Sequence, residues 1–176
     1  MPGRQAGVPP TAYRRAILRL ARRDHSAAEL RRALVERGHP AEEVEEAIAR
    51  LVREKYLDDG GYAARFARSR LAHHGLGRSR IRQGLRQRGV GRREIEAGVR
   101  SALAEVDEKS VVDSLARRYW KAHARVLPER RLVRLWAFLL RRGFAAGLVK
   151  ERLAGLWPRW SDALEGLEPL EEGEVR

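Results

Sequence analysis

The feature that most constrains this chain is a pattern that returns three times. Leu30, Leu34, Arg37 and Gly38 recur as Ile81, Leu85, Arg88 and Gly89, and a more drifted set is Leu135, Leu139, Arg142 and Gly143. The glycines are 51 and 54 residues apart. Six residues past each glycine stands Val44, Ile95 or Val149, and ten past it Ile48, Val99 or Leu153. A fixed period with matched apolar offsets is the signature of a repeated structural unit. Everything else about the fold must fit inside that period.

The unit reads as three short helices. Ser26-Ala-Ala-Glu29 has the form of a capping box, in which serine and glutamate satisfy each other's backbone donors at a helix start. Leu30 and Leu34 then share one helical face. Gly38 can take the left-handed conformation that closes a helix at low cost. His39-Pro40 opens the next helix, with proline expected in its first turn, where a missing N–H does no harm. Glu42 and Glu43 suit the positive end of that helix, and Val44, Ile48, Leu51 and Val52 form its apolar stripe. Tyr13, Ile17 and Leu20 mark a helix upstream. In the second unit Tyr62 and Phe66, then Ile81 and Leu85, then Ile95, Val99 and Leu103 repeat the plan. In the third, Leu115 and Tyr119 open, and Leu132, Leu135 and Leu139 follow.

A three-helix unit of this length buries too little apolar surface to be comfortable alone. Tandem copies can support one another by stacking, as repeat proteins do. The expectation is therefore an all-α molecule of three tandem three-helix repeat units, elongated and curved. Residues 1–10 are expected to be a flexible N-terminus. The units are expected at 11–58, 59–108 and 109–160, with an acidic tail at 161–176.

Local conflicts sit at the joints. Asp58 or Asp59 can cap the helix bearing Tyr62, while Gly60 and Gly61 weaken its first turn. Gly84 and Gly98 lie inside expected helices, each costing about 1 kcal/mol relative to alanine; close helix packing is the favoured reason. Arg92 and Arg93 occupy a helix first turn, where positive charge opposes the dipole. The equivalent positions of the first unit are acidic. All four tryptophans fall in the third unit. Trp120 and Trp136 follow core stripes. Trp157 and Trp160 bracket Pro158 and suit either covering the end of the stack or anchoring a partner.

Composition narrows the function classes. There is no cysteine, which excludes disulfides, thiolate metal sites and a cysteine nucleophile. No apolar run is long enough to span a membrane, and no signal peptide is evident; a soluble, cytoplasmic protein is expected. The formal net charge is +13, a surplus that favours an anionic partner such as nucleic acid. It is unevenly spread: residues 60–93 hold ten arginines and no acid, and residues 114–160 hold twelve basic residues against Glu129 and Glu151. Residues 161–176 carry six acids against Arg176.

Catalytic signals are absent. No glycine-rich loop ends in the Gly-Lys-Ser/Thr of a phosphate-binding loop. His25, His39, His73, His74 and His123 show no ligand spacing, and the serines have no evident base beside them. No enzyme activity, metal or cofactor is expected. The candidate contact residues are basic. Arg78, Arg82 and Arg86 form a ridge at i, i+4, i+8. Arg65 and Arg68 project from the preceding helix, and Arg130, Arg134 and Arg141 come from the third unit. Whether these point one way or scatter is open at this level.

The stretches "LVREKYLDDGGYAARFARSRL" and "GRSRIRQGLRQRGVGRREIEAGV" resemble the RecX family of bacterial RecA regulators. The most specific piece is Leu57-Asp58-Asp59 leading to Tyr62-Ala63, with Gly77, Ile81, Leu85 and Gly89 downstream. The resemblance covers roughly Tyr13 to Leu156. It implies a protein without catalytic residues or cofactor that binds RecA, particularly the filament RecA forms on single-stranded DNA; a monomer is expected. It implies lodging in the filament groove and inhibiting ATP hydrolysis, strand exchange and the co-protease activity behind the SOS response. Direct DNA contact is compatible with the charge. Two other readings fit the residues: a general DNA-binding protein of tandem helix-turn-helix-like units, and a scaffolding repeat protein.

Overall fold

A computed structural model describes residues 11–158; the expectations for residues 1–10, Trp160 and 161–176 fall outside them. The described residues are helical throughout, with no strand among them. The order is α1 (Ala12–Leu20), α2 (Ala27–Val35), α3 (Ala41–Arg53), α4 (Asp59–Ala72), α5 (Arg78–Gln87), α6 (Arg92–Glu105), α7 (Glu108–Ala122), α8 (Pro128–Arg141) and α9 (Ala146–Leu156). Consecutive helices pack in threes, α1–α3, α4–α6 and α7–α9, and α4 also meets α7.

The recurring residues do the same work in each triad. Leu30, Leu34, Val44, Ile48 and Leu51 are buried in the first, and Ile81, Leu85, Ile95 and Val99 in the second. Leu135, Leu139, Val149 and Leu153 are buried in the third. Gly38, Gly89 and Gly143 adopt φ of +82°, +73° and +88°. Only a residue without Cβ enters that region freely, which is why the helix stop is glycine each time. Ser26 and Glu29 form the capping box. Proline 40 sits one place earlier than expected. It precedes Ala41 as the N-cap of α3, outside the first turn, and its side chain supplies no cap hydrogen bond.

The joint glycines have specific reasons. Asp58 caps α4 by accepting from the Gly60 N–H at 3.0 Å. A Cβ on Gly61 would collide with that carboxylate; the pair makes room for the cap, a gain the expectation of a weakened turn did not include. A Cβ on Gly98 would lie 2.7 Å from the Ala63 carbonyl carbon, so α6 crosses α4 at backbone contact. Gly84 faces the edge of Phe66 in the same way. Trp136 is buried. Trp120 is partly buried and its ring lies 4.6 Å from that of Trp157, so Trp157 covers core.

The joints between triads repeat as well. At the first, the Ser26 hydroxyl donates to the Arg88 carbonyl at 2.5 Å, and the space beside Gly89 is filled by Ala28. At the second, the Gly77 N–H donates to the Arg142 carbonyl (2.8 Å) and the Ser79 N–H to the Gly143 carbonyl (3.1 Å). Arg80 adds a bond to the Arg141 carbonyl at 2.8 Å. In both cases the start of one triad's middle helix seats on the left-handed end of the next triad's middle helix. The apolar interiors differ. Helices α4–α9 share one continuous core, whereas α1–α3 enclose their own.

Candidate partner-binding surface

Four of the eight arginines singled out from sequence already hold carboxylates. Arg65 Nε lies 2.7 Å from Asp24 across the first joint. Arg68 pairs with Glu105 at 2.7 Å. Arg78 reaches Glu108 at 2.6 Å, and that glutamate is buried. Arg82 grips Glu96 with two bonds of 2.8 and 2.9 Å. That fork raises the Arg82 pKa, chiefly through the hydrogen bond to Glu96, and lowers that of Glu96 for the same reason. The α5 ridge therefore exists, but two of its three charges are spent on the fold.

Arg86, Arg130, Arg134 and Arg141 are exposed and have no side-chain hydrogen bond or ion pair among the described residues. On α8, positions 130, 134 and 141 recur at i, i+4 and i+11 and fall on one narrow stripe of the helix surface. Its near end meets the second triad, where Arg80 touches the Arg141 carbonyl. The neighbouring helix α7 adds Arg117 and Lys121 at i, i+4, with Arg125 just beyond, all exposed and without a carboxylate partner among the described residues. The sequence reading missed these three. Their i, i+4 spacing was the available signal.

A second cationic feature lies between the first two triads. A groove of about 450 Å³ is lined by Arg23, Asp24, Arg65, Phe66, Arg70 and Arg88 among others. The guanidinium groups of Arg88 and Arg70 lie 4.7 and 5.0 Å from the Phe66 ring centre. Stacking of a guanidinium on an aromatic face leaves its edge donors free for an anion. Four guanidiniums line the groove with Asp24, which pairs with Arg65, while Glu29 lies 3.7 Å from Arg23 and 3.9 Å from Arg88. Of these residues only Arg65 was picked out from sequence; Phe66 and Arg70, at i, i+4 on α4, carried the signal for the rest.

No group of three or more His, Asp or Glu side chains able to hold a metal ion occurs among the described residues. None of their helices is long and apolar enough to cross a membrane. The arrangement offers hydrogen-bond donors and positive charge on convex helix faces and in an open groove, which suits an extended anionic or acidic surface.

Comparison with known proteins agrees with this architecture. Residues 12–51 match the family model for the first three-helix domain of RecX, and residues 58–99 that for the second. The regulatory protein RecX of Trichlorobacter lovleyi is 35% identical over 144 residues, covering 81% of this chain and 94% of that protein. That of Halorhodospira halophila is 39% identical over 162 residues, covering 85% and 91%. A crystal structure of regulatory protein RecX superposes with a TM-score of 0.74 at 25% identity, covering 81% of this chain and 71% of that one. RecX from Lactobacillus salivarius shares the fold, with a TM-score of 0.73 at 17% identity over 82% of this chain and 94% of that one. With its first two triads matching the two family models and relatives of 35% and 39% identity covering more than four-fifths of it, the chain belongs to the RecX family.

Proposed function

We propose that this protein is a non-enzymatic regulator that binds RecA and lies along the groove of the RecA–single-stranded-DNA filament. Occupying the groove, it inhibits ATP hydrolysis, strand exchange and co-protease activity, and so tempers recombination and the SOS response. Its relatives are named regulatory proteins, and an elongated, curved stack of units, expected as domains at 11–58, 59–108 and 109–160, would follow a helical track as a monomer in the cytoplasm. The observation that carries the reading is the α8 stripe of Arg130, Arg134 and Arg141, exposed and without a carboxylate partner among the described residues. With Arg86 it forms the contact set. Arg65, Arg68, Arg78 and Arg82 flank that set, their charges shared with carboxylates and available to a stronger anion. Direct contact with DNA phosphates would come from the same side chains.

The test is an ATPase titration of RecA filaments on single-stranded DNA. Inhibition near stoichiometric amounts is expected, with far weaker binding to naked DNA. Replacing Arg130, Arg134 and Arg141 with alanine should weaken inhibition about tenfold or more, as each exposed charge contact is worth a fraction of a kcal/mol to about 1 kcal/mol. A general DNA-binding protein would instead hold naked DNA with a steep salt slope and leave RecA alone.

A further inference from the structure

The joint between triads is used twice, and a third copy of its receiving half has nothing seated on it among the described residues. At each internal joint a helix start donates to the carbonyl before the left-handed glycine, Arg88 or Arg142, and at the second joint also to the glycine's own carbonyl, while the residue preceding that start is covered. The preceding residue is His25 at the first joint, 5% exposed, and Leu76 at the second, packed into the shared core. In the first triad the corresponding carbonyls are those of Glu36, Arg37 and Gly38. None accepts a hydrogen bond among the described residues, and the space beside Gly38 is open, with nothing within 4 Å of an added Cβ. Arg88 and Arg142, which precede the other two glycines, reach back to Glu29 and to the carbonyls of His74 and Gly75; Arg37 is exposed, with no partner among the described residues.

The open end of α2 carries a slot of about 300 Å³, in which the apolar side chains of Val35, Ala41 and Val44 lie beside the charged Arg31, Arg32, Glu36 and Glu45. Val35 is 54% exposed. Measured from the glycine, these three positions match Leu140, Ala146 and Val149 of the third triad, which belong to the same core as Leu76. The first triad thus repeats, at its exposed end, apolar positions that in the third triad join the shared core.

We infer that the exposed end of α2 and its slot receive the start of a helix from a partner protein. That start carries an apolar residue, then serine or glycine as N-cap, then a cationic side chain in the first turn, as Gly77 and Arg80 do at the second joint. The acceptor carbonyls and the negative end of the α2 dipole repel phosphate, so the occupant is protein and not nucleic acid. A second copy of this chain is a poor fit at its far end. There the N-cap is the bulky Leu127, followed by Pro128, whereas at Gly77 even a Cβ would collide with the Gly143 carbonyl. Arg131 also consumes the loop carbonyls of Ala124 and Val126. The array is closed at that end and open at the other.

The inference rests on the reading that a protein filament is the target, and its test separates the two. Val35→Glu places a charge in the slot at an exposed position, so the fold should survive, as thermal melts will show. Leu127→Glu is the matched change at the closed end. RecA-filament ATPase inhibition and binding to a single-stranded oligonucleotide are measured for each. Val35→Glu should lose inhibition about tenfold or more with oligonucleotide binding unchanged, and Leu127→Glu should match wild type. Equal inhibition by wild type and Val35→Glu, or an equal loss with Leu127→Glu, overturns the docking site alone. Concentration-dependent self-association abolished by Val35→Glu would give the surface to a second copy and overturn it too. A wild-type protein that does not inhibit overturns the functional reading and this inference with it.

Discussion

At the scale of single residues, two positions test opposing forces. Gly98 sits mid-helix in α6, where alanine would gain about 1 kcal/mol of helix propensity. Its Cβ, however, would lie 2.7 Å from the Ala63 carbonyl carbon and 2.9 Å from the Ala64 nitrogen. Backbone cannot yield as a side-chain tip can, and overpacking costs about 1–3 kcal/mol. Clash wins, so Gly98→Ala should lower stability by about 1–2 kcal/mol in urea melts, against the propensity trend. His25 tests charge. It is buried at the first joint, and desolvation, then Arg23, push its pKa below the ordinary 6.5, while Glu29 opposes them. The unfolded chain therefore binds the proton more readily than the folded one. Stability from neutral His25 is present above about pH 6.5 and is lost as pH falls through the lower, folded value. Replacing His25 with glutamine should flatten the stability change between about pH 7.5 and about pH 5, read from urea midpoints.

At the scale of elements, the three left-handed helix ends make a controlled series. Alanine at any of them must adopt positive φ, at roughly 1–2 kcal/mol. At Gly38 that is the whole effect, since the space is open. At Gly89 the new methyl would collide with Ala28, and at Gly143 it would lie 2.5 Å from the Arg80 nitrogen, so packing damage of about 1–3 kcal/mol adds to the strain. Gly38→Ala should therefore be the mildest of the three in denaturant midpoint, although all three look alike in sequence. That contrast marks what the sequence made legible. The period, the caps and the buried stripes were readable because helix stops and apolar spacing are local rules, obeyed by Ser26, Gly38, Leu30 and their counterparts. The empty end of α2 was not readable, because an unfilled joint differs from a filled one only in what stands opposite. The candidate arginines show the same divide. Sequence located the α5 ridge by spacing and named Arg130, Arg134 and Arg141 of the third unit, but nothing in it tells that Arg78 and Arg82 are answered by Glu108 and Glu96 while Arg130 and Arg134 are not.

At the scale of the whole molecule, the two joints differ in kind, and unfolding should reveal it. Helices α4–α9 share one apolar core. Helices α1–α3 close a separate one and meet α4 and α5 through polar contacts. Glu29 is the hub: it accepts from the Ser26 N–H at 3.2 Å and the Tyr62 hydroxyl at 3.3 Å, with Arg88 3.9 Å away. A three-helix unit held by its own small core and a polar seam is the marginal part of such an array. It should open first, before the larger body. The tryptophans make this visible, because Trp120, Trp136, Trp157 and Trp160 all lie in the later part of the chain. The fluorescence of Trp120, Trp136 and Trp157 follows α7–α9 and the core those helices share, whereas far-ultraviolet circular dichroism follows every helix. Non-coincident transitions are the mark of departure from two-state unfolding, so the dichroism should begin to fall at lower urea than the fluorescence. Glu29→Ala removes the reciprocal half of the α2 capping box, leaving the Ser26 hydroxyl cap in place, and removes the hub of the seam. It should shift the early phase of the dichroism to lower urea and leave the fluorescence midpoint nearly in place. Superimposable curves in wild type, or equal shifts of both signals in the variant, would mean that the seam couples the triads as tightly as the shared core does.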